Sequence, residues 1–309
     1  MSFSTDLKDD LLNVDIIDDI ANKLEVEAMI RLAGEISIIP LSVSVSFNSI
    51  GAVRRFVQLL KKYYKFEYEL IERVIKRFDS KKVFTVNIKD GVKEIIDDLS
   101  LLTQESKYRS DLTPERMESY LRGAFLVRGS VNDPNSKSSH LEISSTNDSE
   151  ILFLQKIMND FELDARISKR KLYYLVYIKK EQTIGDFLYH IGAQEKMSYY
   201  EDVLITKEIK ATAKRTINLD VANQNKTNNA AKEQIKYLNY LYLNYPLGEL
   251  DNKLLMVMKV RLEHQEDSLQ ELLDVIHDEF EPNLSKSGLN HRLKRLKEIA
   301  IEFMEEKGE

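Results

Sequence analysis

The 309-residue sequence has no cysteine and no tryptophan. Without thiols there can be no disulfide framework, cysteine-ligated zinc, iron–sulfur cluster or thiol nucleophile. Glycine is scarce: there are ten, and no two lie two residues apart. That spacing excludes a GxG pyrophosphate turn, and neither a Walker A loop nor a GxSxG elbow occurs. The five histidines (His140, His190, His264, His277 and His291) give no HExxH and no pair at helical spacing. These absences weigh against an enzyme, without excluding one built on carboxylates alone. No apolar run approaches the ~18 residues of a membrane span, and the opening MSFSTDLKDDLL is too acidic for a signal peptide. The expectation is a cytoplasmic protein with no membrane partner. A formal charge of −6 argues against general nucleic-acid coating but leaves room for a local basic reader.

Periodicity supplies the organisation. Residues 22–34 have helical spacing, with Ala21, Leu24, Ala28 and Leu32 on one stripe. EISIIPLSVSVSF (35–47) is β-branched and broken at Pro40, as in a strand or hairpin. A helix over 49–64, two strands within 66–89 around Asp79-Ser80-Lys81, and a helix over 90–102 follow. The same order then recurs: helix 114–127 with Pro114 at its first position, a strand pair broken at 132–135, helix 148–162, strands 164–170 and 171–178, and helix 181–191. The fold class expected is α+β, a pseudo-duplicated αββαββα domain over 1–195, followed by an all-α domain over 231–309.

Between them, 196–230 reads as a basic, Asn-rich linker or ordered arm. Residues 204–232 carry six bases against two acids, among them Lys214, Arg215 and Lys226, and NLDVANQNKTNNAAKEQ offers little for a core. From 231 onward the spacing is helical over 231–243, 249–264, 268–276 and 285–305. Ser268 and Glu271 form a capping-box signature. Residues 249–283 hold ten acids against three bases, whereas 284–297 hold Lys286, Arg292, Lys294, Arg295 and Lys297 and no acid. Leu289, Leu293, Leu296 and Ala300 form the buried stripe of that last helix. Ser285, Ser287, Asn290 and His291 sit near its start. Short polar side chains for base edges, ringed by cations for phosphates, are what a helix-turn-helix requires. A basic amphipathic helix that merely solvates one face of a bundle fits the same pattern. The 277–283 connection, HDEFEPN, is longer than the usual three- or four-residue turn.

SKSGLNHRLKRLKEIA (285–300), YLRGAFLVRGSVNDP (120–134), ANQNKTNNAA (222–231) and the opening SFSTDLKDDL together resemble the WhiA family. These are bacterial DNA-binding proteins named as sporulation transcription factors and linked to cell division and chromosome segregation. The resemblance spans essentially the whole chain. It implies a LAGLIDADG homing-endonuclease-like domain, a linker and a C-terminal helix-turn-helix, in agreement with the duplicated pattern. In active nucleases of that fold, two central helices each end in an acid that holds a divalent metal. LRGAFLVRG (121–129) aligns with that motif, with Gly123 and Gly129 at its glycines and Arg128 where the acid belongs. VEAMIRLAG (26–34) aligns with Ala28 and Gly34, and there Ala33 replaces the acid. Alanine cannot coordinate a metal and arginine repels one, whereas cleavage needs carboxylate oxygens on a hard cation.

The resulting expectation is a nucleoid-associated transcriptional regulator with no catalytic residue, metal or cofactor. It would bind promoter duplex DNA through Ser285, Lys286, Ser287, Asn290, His291, Arg292, Lys294, Arg295 and Lys297. Lys214, Arg215, Asn225 and Lys226 would add contacts, and the 1–195 domain would meet DNA or a protein partner. The alternatives are a metal-dependent endonuclease using other acids, such as Glu35 or Asp133, and an adaptor whose basic helix binds an acidic protein.

Overall fold

The computed structural model describes residues 2–77, 79–104 and 106–308. The chain divides into two units, Met1–Glu208 and Ile209–Glu309. In the first unit the expected duplication is present. One copy runs α2 (Asp19–Ala33), β1 (Gly34–Ile38), β2 (Leu41–Phe47), α3 (Ile50–Tyr63), β3 (Tyr68–Arg77), β4 (Asp79–Ile88) and α4 (Val92–Asp98). The other runs α5 (Pro114–Arg128), β5 (Gly129–Val131), β6 (Leu141–Ser145), α6 (Asp148–Asp160), β7 (Arg166–Arg170), β8 (Tyr173–Ile178) and α7 (Glu181–His190). Each copy has one four-stranded antiparallel sheet, ordered β1-β2-β4-β3 and β5-β6-β8-β7.

Local chemistry explains the boundaries. The side chain of Asp18 accepts from the amides of Ile20 and Ala21 at the start of α2. Thr113 caps α5, whose first residue is Pro114. On β2 and β4, alternate residues (Val43, Val45, Phe47, Val86 and Ile88) are buried. The opposite face is polar, with Ser44 hydrogen-bonded to Asn87 and Ser46 to Thr85.

Helices α2 and α5 pack against each other at the middle of this unit. A Cβ on Gly123 would collide with the backbone carbonyl of Glu25, so only glycine permits this approach. Gly34 and Gly129 act differently. Each is the C-cap of its helix and opens a strand, and its crowding is with its own helix, at Ile30 and Phe125 respectively. Buried charge crosses the same interface. Glu25, with no exposure, accepts from Arg55 and from Arg122. Glu27 accepts from Arg31 at 2.7 Å, Arg109 at 2.9 Å and Ser106 at 2.6 Å. Arg109 continues to Glu150 on α6, which also accepts from Tyr120.

Three details depart from the sequence reading. An additional helix, α1 (Phe3–Asp10), packs Phe3 and Leu7 into the core; eight residues are too few for periodicity to stand out. Asp79, Ser80 and Lys81, read as a turn, belong to β4, and Phe78 lies outside the described residues. The stretch 196–230, read as a linker or arm, is helical throughout as part of α8 (Gln194–Asn244). Every residue from Glu208 to Lys226 is exposed, so no buried stripe marks the helix in the sequence.

In the second unit, the end of α8 is followed by α9 (Asn252–Glu263), α10 (Leu269–Glu279) and α11 (Lys286–Lys307). Leu238, Leu241, Val257, Met258, Leu272, Ile276, Leu289, Leu293 and Leu296 form a separate core. The capping box at Ser268 and Glu271 is present in full. Among the described residues, no helix is long and apolar enough to cross a membrane.

Candidate nucleic-acid interface

The last helix pair decides what the second unit can touch. Ser285 is the N-cap of α11 and accepts from the amide of Gly288 at 3.0 Å. Its hydroxyl thus caps the helix as an acceptor, with its own proton still available to donate. Leu289, Leu293, Leu296 and Ala300 are buried, as their spacing requires. Ser287, Asn290, His291 and Lys294 recur at helical spacing on the opposite side and are exposed. Among the described residues none of their side chains makes a hydrogen bond or ion pair within the chain. This face combines short polar groups with a free ammonium.

Three of the other four cations, Arg292, Arg295 and Lys297, are engaged. Arg292 forms a two-pronged pair with Glu281, at 2.6 and 3.1 Å. That pair, together with burial opposing it weakly, holds the Glu281 carboxyl below its usual range. Arg295 reaches Glu298 at 3.2 Å and Glu302 at 3.5 Å on its own helix. Lys297 donates to Glu233 of α8 at 2.6 Å, which raises its pKa. Lys286 is exposed and lines a cavity with Lys226. The structure therefore divides the nine positions, eight on α11 and its N-cap Ser285. Four lie on one free face, Lys286 stands beside it, and Ser285, Arg292, Arg295 and Lys297 have structural partners. Sequence reasoning missed this division because the acids involved lie 11 and 64 residues away from Arg292 and Lys297.

The connection expected at 277–283 is six residues, 280–285, because α10 extends to Glu279. It is braced at both ends. The Glu281–Arg292 pair ties it to α11, and the His277 Nε2 bonds the carbonyl of Leu284 at 2.6 Å. On α8, Lys214, Arg215, Asn225 and Lys226 are all exposed. Lys214 with Asn225 and Arg215 with Lys226 stand eleven residues apart, about three helical turns, so each pair shares a meridian.

In the first unit, Ala33 ends α2 and Arg128 ends α5. The Arg128 Nε donates to the carbonyl of Leu32 at 3.0 Å, satisfying one of the orphan carbonyls at the end of the neighbouring helix. Glu35 is exposed on β1, opposite Ser44 in the register and so on the polar face of the sheet. The Asp133 carboxylate accepts from Asn135 in a local turn. Among the described residues no group of three acids or histidines is placed to hold a metal ion.

Comparison with known proteins decides the relationship. The WhiA N-terminal LAGLIDADG-like domain matches residues 19–102, the WhiA LAGLIDADG-like domain 117–210, and the WhiA C-terminal HTH domain 213–300. The chain belongs to the WhiA family. It is 34% identical over 307 residues to the probable cell division protein WhiA of Staphylococcus aureus strains JH9 and Newman, covering 97% of this chain and 96% of theirs. It is similar in structure to full-length DUF199/WhiA from Thermatoga maritima, with a TM-score of 0.62 and 25% identity over 98% of this chain and 99% of that one. The N-terminal LAGLIDADG domain of DUF199/WhiA covers 64% of this chain and 96% of its own length, at a TM-score of 0.51 and 24% identity. Relatives in this family are thus named as cell division proteins rather than enzymes.

Proposed function

We propose that this WhiA-family chain is a transcriptional regulator acting in cell division and chromosome segregation, and that its helix-turn-helix binds promoter duplex DNA. The observation that carries this reading is the free face of α11, where Ser287, Asn290, His291 and Lys294 are exposed without partners among the described residues. Hydroxyl, amide and imidazole groups can address base edges in the major groove, and the ammonium can meet a phosphate. Arg295, held only by exposed acids on its own helix, can exchange them for phosphate at little cost. Arg292 serves the interface indirectly, by fixing the 280–285 connection against α11. Exposed Lys214, Arg215, Asn225 and Lys226 on α8 extend the basic surface.

The LAGLIDADG-like unit is read as a non-cleaving scaffold kept for contact with DNA or a protein. Ala33 offers no oxygen for a metal, and Arg128 spends its guanidinium on the Leu32 carbonyl. Glu35 lies on the polar face of the sheet, and the Asp133 carboxylate is engaged by Asn135 in a local turn.

The test is a fluorescence-anisotropy titration of promoter duplex with the parent and Lys294→Gln/Arg295→Gln. Each lost phosphate contact should flatten the salt dependence by about 0.9 units, hence up to about two for the pair. Asn290→Ala should instead relax preference at one or two base positions. Equal DNA affinity and salt slope in the double variant would refute the assignment.

A further inference from the structure

We propose that the second unit binds a small, hydroxylated phosphate monoester in a cavity between α8, α9 and the first turns of α10 and α11. The cavity has a volume of about 310 Å³, within the range of small-molecule sites. Two of its lining residues carry the buried polar atoms that lack any partner among the described residues: Arg261 Nε and Gln234 Oε1. Native interiors rarely leave such groups unmatched, because an unmatched group forfeits its hydration with no return.

Arg261 is only 2% exposed. Its Nη1 is anchored by the backbone carbonyls of Asp267 and, at 3.3 Å, His264, which holds the side chain in place and leaves the Nε proton over. The nearby Asp267 carboxylate bonds His264 Nδ1 at 3.0 Å instead. A buried guanidinium is therefore left with incomplete compensation. Its pKa is lowered by burial, with the Asp267 charge opposing in part.

Two exposed ammonium groups, Lys226 and Lys286, join Arg261 in the lining against one acid, Asp267, whose carboxylate is the one bonded to His264. Leu269 and Gln270, the first two residues of α10, also line the cavity. Their amides precede any i−4 carbonyl of the helix, so the positive end of its dipole adds to the same field. Phosphate oxygens satisfy all of these donors. Gln234 Oε1 needs the reverse, a donor, and a hydroxyl on the same molecule supplies it. Arg261 is 2% exposed, and a small molecule that fits the cavity reaches its Nε more readily than a duplex phosphate does, so the phosphate assigned is that of a diffusible molecule. The site stands whether or not α11 reads DNA.

The experiment is calorimetric titration of the full chain with glycerol 3-phosphate, inorganic phosphate, glycerol and acetate at matched ionic strength. Glycerol 3-phosphate should bind at one saturable site and more tightly than inorganic phosphate, with no binding of glycerol or acetate. Gln234→Leu should abolish the preference for glycerol 3-phosphate, and Lys226→Gln/Lys286→Gln should weaken both phosphates about tenfold. Arg261→Lys, which retains charge but loses the Nε donor, should weaken them at least as much. The exposed lysine pair keeps the test open should the Arg261 variant fold poorly. Absence of saturable phosphate binding, meaning a water-filled cavity, would overturn the proposal. So would binding unchanged in the Gln234 and lysine variants. If Arg261→Lys weakened duplex binding in phosphate-free buffer while glycerol 3-phosphate did not bind, the site would serve the DNA backbone, and the proposal would again fall.

Discussion

Replacing Glu25 with Gln tests whether the buried charge between α2 and α5 holds the LAGLIDADG-like unit together. The substitution keeps the shape and removes one charge. Glu25 has no exposure, and its partners Arg55 and Arg122 are 5% and 4% exposed. Neither guanidinium can swing into water. Arg55 is also bound to the carbonyls of Leu12 and Val14, and Arg122 to the carbonyl of Ile191 and the hydroxyl of Ser119. Without Glu25, two confined cations would face each other with no counter-charge. Breaking a buried pair by removing one member typically costs about 3–5 kcal/mol. For a unit of this length each kcal/mol moves Tm by about 2–4 °C, so Glu25→Gln should lower the transition of the first unit by roughly 10 °C. Differential scanning calorimetry measures the shift, with exchange of α2 amide protons assigning the transition. Glu201→Gln, at an exposed position on α8, is the control and should stay within about 0.5 kcal/mol. Joint replacement of Glu25, Arg55 and Arg122 by Met should recover much of the loss, because no charge then remains to be desolvated. A shift below about 2 °C for Glu25→Gln would refute the reasoning.

The glycines provide a sign test. Gly123→Ala should lower Tm, because the new Cβ meets the Glu25 carbonyl, whereas Gly185→Ala, with no atom near its Cβ position, should raise it through the helix preference of about 1 kcal/mol; a Tm increase at Gly123 would be the contrary result. Asp98 governs an acid-sensitive contact: burial favours its neutral form, but hydrogen bonds from Lys107, Lys23, Tyr64 and Tyr108 outweigh this and depress its pKa. Stability from this group is complete above the ordinary value near 3.8 and is lost as pH falls toward the folded value, so acid unfolding curves of the parent and Asp98→Asn should converge below that point and diverge above it. Amide exchange should be fast from Glu208 to Lys226, where no side chain is buried, and slow around Leu238 and Leu241; uniform protection along α8 would contradict this.

Much of the fold was legible because local rules and burial agree. The stripes Val53-Phe56-Val57-Leu60 and Leu289-Leu293-Leu296 are buried because amphipathic spacing has one good solution against a core. Asp18, Thr113, Ser268 and Ser285 cap helices as their side-chain chemistry predisposes them to do. The repeated order of helices and strands was visible for the same reason, since each copy buries its sheet against its own helices. Periodicity found the end of α8 at 231–243 but failed on its exposed stretch from Glu208 to Lys226, which leaves no apolar stripe to read.

The sequence by itself determined the duplicated α+β order, the helical C-terminal unit and the concentration of positive charge on α11. It also determined that alanine and arginine stand at Ala33 and Arg128. Only the tertiary structure decided which of those charges are free. Arg292 and Glu281 come together because the connection folds back on α11, and Lys297 meets Glu233 because α8 lies beside it. The same holds for Glu25 with Arg55 and Arg122, for Arg128 on the Leu32 carbonyl, and for the unmatched Arg261 Nε beside Gln234. Each depends on groups distant in sequence, and a linear pattern carries the identity of a charge but not the partner that neutralises it.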